Sequence, residues 1–204
     1  MAFARLKRWW ARWRAPSARW ALGTLLTGGF AAGIAFATGF NVFVEKTNTM
    51  DFCTSCHEMR AFVYEEYQHS VHWTSASGVR PGCPDCHVPK RWGAKIWRKF
   101  QATYNELPNH LLGKIDTKEE FEAHRLEMAQ SVWAAMKADD SAGCRGCHDV
   151  NVMALDEQRP RARAQHADMA KNGETCIDCH KGIAHVKPAL PEDEKPAQEE
   201  DFSL

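Results

Sequence analysis

The chain lacks charge where it is most apolar, and it lacks isolated cysteines altogether. No residue from Trp20 to Val44 is charged, and no acidic residue precedes Trp20. No segment alternates apolar and polar residues as a half-buried strand would, which excludes sheet-based architectures. The formal net charge over 204 residues is zero, so nothing in the charge balance argues for nucleic acid, and no nucleic-acid partner is expected. No sensor or signalling module is visible.

The uncharged stretch from Trp20 to Val44 has 25 residues. As a helix it would reach roughly 37 Å, enough to cross a hydrocarbon core of about 30 Å with some tilt. A cleaved signal peptide is the alternative, since Ala35-Phe36-Ala37 resembles a cleavage site. Against cleavage, the apolar run is long and continues through Phe40, Val42, Phe43 and Val44. Trp9, Trp10, Trp13 and Trp20 also accompany Arg5, Lys7, Arg8, Arg12, Arg14 and Arg19 as an interfacial belt. The expectation is an uncleaved anchor with its basic end cytoplasmic. That makes residues 1–19 a cytoplasmic basic segment and residues 20–44 the single transmembrane helix. Residues 45–186 become a periplasmic domain on a bacterial inner membrane. Residues 187–204, rich in Pro and Glu, read as a disordered acidic tail. Gly29 and Gly33 form a G-x-x-x-G pattern in the apolar run, so a homodimer is possible, although ordinary glycine content of a membrane helix explains them equally simply.

All eight cysteines fall into four pairs: Cys53 and Cys56, Cys83 and Cys86, Cys144 and Cys147, Cys176 and Cys179. Each pair is followed at once by a histidine: His57, His87, His148 and His180. Cys-x-x-Cys-His is the attachment pattern of c-type haem. Two thiols three positions apart add to the two vinyl groups of one porphyrin, and the adjacent imidazole reaches the iron. Paired Cys-x-x-Cys also binds zinc, and disulfides form outside the cytoplasm. Neither chemistry needs a histidine after every pair, whereas here only ten of 204 residues are His and four fill those slots. The expectation is four covalently bound haem c groups in a mainly α, loop-rich multihaem cytochrome c domain, with the porphyrins replacing an apolar core. The spacing Cys53 to Cys83 resembles that of Cys144 to Cys176, as in a degenerate duplication.

A low-spin haem iron takes a second axial ligand, usually His or Met. Of the six histidines outside the motifs, His72, His124, His166 and His185 are the candidates. His69 and His110 read as surface or propionate-contacting residues. Helices are expected over Lys90 to Glu106 and over Thr117 to Ala138. The second opens with the capping pattern Thr117-Lys118-Glu119-Glu120.

Four stretches carry a resemblance. They are Glu45 to Met59, Gly78 to Pro89, Phe121-Glu122-Ala123-His124-Arg125, and Cys176 to His185. In these the chain resembles the NapC/NirT family of membrane-bound tetrahaem quinol dehydrogenases over nearly its whole length. The resemblance implies that membrane quinol, menaquinol or ubiquinol, is oxidised beside the first haem. Electrons would then pass to a periplasmic reductase, nitrate reductase in the branch it looks most like. It implies that Met59 can replace His57 on the first iron, although Met59 also reads as a packing methionine and His57 is present. It also implies that Lys99 and Glu106 flank the quinol. Spacing alone puts these two on one helical face, as it would for an exposed ion-pair surface. Two other functions stay open: a self-contained reductase of a small nitrogen or sulfur oxide, and a tethered electron shuttle without a quinol site.

Overall fold

A computed structural model describes residues 5, 7–11, 20 and 22–190. Trp13, Arg12, Arg14, Arg19 and the acidic tail beyond residue 190 lie outside the described residues. The chain divides into two compact units, Met1–Glu45 and Lys46–Leu204. Among the described residues it is mainly helical and has no strand.

In the first unit, helix α1 (Leu22–Lys46) is long and apolar enough to cross a membrane. Its side chains are almost all exposed, Leu22, Phe30 and Phe36 among them. In water such exposure would be costly, and a lipid phase removes the cost.

The second unit contains three long helices joined by short turns. Helix α2 (Trp92–Gln101) does not stop at Gln101. It widens into a π-helical turn over Ala102–Glu106 and returns to α-helix over Leu107–Leu111, with Pro108 in its first turn. Helix α3 (Lys118–Ala138) begins where the capping pattern puts it. The Thr117 hydroxyl accepts the Glu120 N–H at 3.2 Å, and the Glu120 carboxylate accepts the Thr117 N–H at 3.0 Å. Helix α4 (Pro160–Asn172) ends on Gly173, whose φ of +66° is a left-handed C-cap suited to glycine.

Each attachment motif starts on a helical turn: Met50–Cys53, Cys83–His87, Ala142–Arg145 and Cys176–Cys179. Residues three apart on such a turn point the same way, which presents both thiols together. The residues between the cysteines have their own task. Asp85 accepts the Gly82 N–H at 2.7 Å, and Asp178 accepts the Thr175 N–H at 2.8 Å. Each caps the turn that bears the thiols.

Little apolar side chain is buried. Among the described residues the buried apolar positions are Val44, Phe62, Tyr67, Phe121 and Ile177. Phe62 of the helical turn after the first motif packs on Phe121 of α3, with ring centres 5.0 Å apart. For a domain of this length that core is small. Polar ties carry much of the tertiary connection, including Lys137 to Asp178 at 2.7 Å between α3 and the fourth motif.

Candidate haem-binding site

The four motifs lie side by side in chain order. The first meets the second where the Cys83 N–H points at the Met50 sulfur, 3.0 Å away. The second meets the third at Gly143. A Cβ there would stand 2.9 Å from the Asp85 carbonyl oxygen and 3.2 Å from the Cys86 Cα. The third meets the fourth through Ser141, which is buried and left-handed at φ +52°. Its hydroxyl accepts the Ile177 N–H at 3.2 Å. None of the eight cysteines is in a disulfide.

Three motif histidines each face a histidine from elsewhere in the chain. The ring centres of His72 and His148 are 6.3 Å apart. Those of His87 and His185 are 6.1 Å apart, and those of His166 and His180 are 5.9 Å apart. Metal–nitrogen bonds of about 2 Å would put two imidazole centres about 6 Å apart across one metal, so each pair has room for one ion and a porphyrin plane. The nitrogens fit that use. Nδ1 of His72 and of His185 is buried without a hydrogen-bond partner. His166 has its Nδ1 2.7 Å from the Gln158 side-chain oxygen. A partner on one ring nitrogen orients the imidazole and leaves the other for a metal. Burial, with His185 and Arg98 adding repulsion, pushes the His87 pKa down to about 4. Burial also lowers His180, with His166 and His148 beside it. Neutral imidazole is the form that ligates metal.

The first motif is different. His57 and His110 have ring centres 6.1 Å apart, but carboxylates surround them. His57 Nε2 is 3.3 Å from Asp116 and 3.6 Å from Glu58. His110 Nδ1 is 2.5 Å from Glu58 Oε1, the same oxygen that His57 approaches. Glu58 is buried, which would raise its pKa, yet the hydrogen bond from His110 and the charges of both histidines hold it below the usual range. Met59 is 39% exposed at the start of a π-helical turn.

The remaining candidates are placed as follows. His124 stands exposed on α3 with Nδ1 2.9 Å from the Glu120 carbonyl, and it faces no motif histidine. His69 is exposed. Lys99 and Glu106 are both close enough to influence the first attachment site. The Cys53 thiol is lowered to about 7, chiefly by a hydrogen bond with Cys83; burial opposes this, Lys99 assists, and Glu106 opposes. Lys99 donates to the Thr47 carbonyl at 2.5 Å, and Thr47 is the residue after α1. Glu106 binds Arg98 at 2.5 Å, because the π turn adds a residue per turn and shifts the phase expected for a regular helix.

Comparisons with known proteins identify the family. Residues 15–190 match the family described as NapC/NirT cytochrome c family, N-terminal region. The chain is 52% identical to cytochrome c-type protein NapC of Escherichia coli K12 over 187 residues, covering 92% of both chains. It is 50% identical to the denitrification system component NirT of Stutzerimonas stutzeri, covering 86% of this chain and 87% of that one. It is 44% identical to cytochrome c-type protein TorC of Escherichia coli K12, covering 91% of this chain but 47% of the relative. No solved structure matches the chain. Thiol pairs on capped turns, histidines facing motif histidines and an apolar N-terminal helix thus meet in a sequence that matches along nearly its full length: the chain belongs to the NapC/NirT cytochrome c family, whose members are membrane-anchored electron-transfer proteins carrying covalently bound haem c.

Proposed function

We propose that the chain is a tetrahaem cytochrome that oxidises membrane quinol and delivers the electrons to a periplasmic reductase, nitrate reductase in the first instance. The observation that carries the haem assignment is the set of facing histidines. Each of His87, His148 and His180 would ligate one iron, with His185, His72 and His166 respectively on the other face. Bis-imidazole ligation gives a low-spin iron that changes oxidation state with little rearrangement. Haem iron takes and gives electrons singly, and that is the chemistry the bound groups supply.

At the first haem, the carboxylates around His57 support Met59 as the iron ligand. With His57 engaged by Asp116 and Glu58, the thioether two residues further on is the available donor from the same turn. Quinol oxidation yields quinone, two electrons and two protons. Lys99 would polarise the quinol oxygen, and Glu106 would accept a proton beside it. Lys99 is tied to the carbonyl of Thr47, which directly follows α1 in the chain. The contiguity of the four motifs supports a path in chain order from the first haem to the fourth.

The ligand set is tested by alanine substitution at His72, His166 and His185, each read by visible and electron paramagnetic resonance spectra. Each substitution should convert one haem to high spin, while His124→Ala should leave the spectra unchanged. Unaltered low-spin spectra in two of the three would overturn the pairing. Met59→Ala should perturb the first haem and His57→Ala should not; the reverse result would assign that iron to His57. The purified protein, reduced by quinol, should be reoxidised on adding periplasmic nitrate reductase with nitrate. Reoxidation only by a nitrite reductase would reassign the partner, and reduction only by soluble donors would leave a tethered shuttle.

A further inference from the structure

Besides Glu58, a second charged side chain is buried, on α3. Arg125 on α3 is 8% exposed, and all five of its N–H donors are used. Nε and Nη2 donate to the two Glu122 oxygens at 2.5 and 2.8 Å. Nη2 and Nη1 donate to the two Glu66 oxygens at 2.5 and 3.1 Å. The fifth bond runs from Nη1 to the Val186 carbonyl at 3.1 Å. Glu66 completes the figure by accepting the Val186 N–H at 3.0 Å. Lys118, 3.0 Å from Glu122 and 4.0 Å from Glu66, balances the second carboxylate.

The consequence falls on Val186. Both polar groups of its backbone are gripped, one by each member of a buried ion pair, and the two grips come from different parts of the fold. Glu66 belongs to the helical turn Glu65–Gln68 before His72, and Arg125 to α3. Val186 is otherwise a poor anchor, with a side chain 61% exposed in a segment without regular structure. The residue before it is His185, which faces His87.

We propose that Glu66 and Arg125 are positioning residues that clamp the Val186 backbone and thereby hold His185 on the iron of the second haem. The clamp rests on the reading that His87 and His185 share an iron. A free C-terminal segment would let His185 exchange with water, and a fixed backbone keeps the imidazole in place. The pair suits the task because a planar guanidinium in two bidentate contacts has one allowed orientation. Glu66 stays ionised in that setting. Burial would raise its pKa, but Arg125 and the Val186 amide hold it below the usual range.

The test uses the full-length, haem-loaded protein in detergent, with three variants: Arg125→Ala, Glu66→Gln and, as reference, His185→Ala. Covalent haem content is measured first, then spin state and the binding of added imidazole. Arg125→Ala should keep all its haems, show one more high-spin haem than the wild type, and lose that extra high-spin signal when imidazole is added. Glu66→Gln keeps an acceptor for the Val186 N–H, so it should keep the wild-type spin state at rest but bind imidazole at one haem more than the wild type. A purely structural role would lower thermal stability without singling out one haem. Full haem content with the wild-type spin state and wild-type imidazole binding in both clamp variants overturns the proposal. If Arg125→Ala fails to mature, Glu66→Gln decides by the same criterion. If neither matures, the pair serves general stability and the proposal fails. His185→Ala separates the two levels: a normal low-spin spectrum there refutes the ligand pairing itself, whereas a high-spin haem there with silent clamp variants refutes the clamp alone.

Discussion

Replacing Gly143 by alanine probes the contact between the second and third attachment motifs. The new Cβ would lie 2.9 Å from the Asp85 carbonyl oxygen, and 3.2 Å from both Cα and O of Cys86. A carbon and a carbonyl oxygen rest at about 3.3–3.6 Å even in a close C–H···O contact, so the motifs must part by about 0.4–0.7 Å. All three obstructing atoms are backbone, and no rotamer change relieves them. Overpacking of this kind costs about 1–3 kcal/mol. For a chain of this size each kcal/mol lowers the midpoint by about 2–4 °C, giving a fall of roughly 2–12 °C. Thermal unfolding followed at the haem absorption band measures it. Gly146→Ala is the internal control. Its Cβ would meet the Gly143 oxygen at 3.4 Å, an ordinary contact, and its φ of −63° suits alanine. That variant should be unchanged or stabilised by about 0.4–1 kcal/mol through the unfolded chain. If Gly143→Ala melts with Gly146→Ala, the motifs are not in the backbone contact described.

Three further outcomes follow from the same geometry. Glu122 is held down to about 2, first by the Arg125 hydrogen bond, and Glu66 is lowered beside it. Folded values below the ordinary carboxylate pKa of 4.5 mean that this stabilisation is complete above about pH 4.5 and is lost as pH falls toward about 2; Arg125→Ala should lose most of the midpoint's dependence over that interval, and a parallel curve would refute it. Glu106→Gln should slow reduction of the haems by a quinol analogue and Lys99→Ala should weaken its binding, with dithionite reduction unchanged in both; wild-type quinol kinetics in both would put the site elsewhere. Removing the Glu58 carboxylate with Glu58→Gln leaves His110 with a weaker partner at a site where the ion contacts are 2.5 and 3.6 Å; the spectrum of the first haem alone should change, and a change at another haem would contradict the placement.

The parts of the fold legible in the sequence are those written locally. Cys-x-x-Cys-His states its chemistry in five adjacent residues, and Thr117 with Glu120 states where α3 begins. An uncharged run states a membrane-crossing length. What was not legible depends on contacts between distant segments. His72 lies between the first two motifs yet faces the third, and His185 follows the fourth yet faces the second. Nothing near His110 marks it as the neighbour of His57, apart from the acidic Glu58 that turns out to join them. Within Phe121-Glu122-Ala123-His124-Arg125, adjacent side chains point about 100° apart on a helix. Periodicity did not say which of them faced inward, and the buried polar residue is Arg125 while His124 is exposed. The π turn after Gln101 was not legible either, nor was the pairing of Glu106 with Arg98 that goes with it.

The central claim is that four haems are held covalently, one at each Cys-x-x-Cys turn. The most direct measurement is the intact mass of the denatured, chelator-treated protein. The account predicts the polypeptide plus four haems, all retained through denaturation. A mass showing fewer haems, or a bare polypeptide whose metal was lost with the fold, would contradict it.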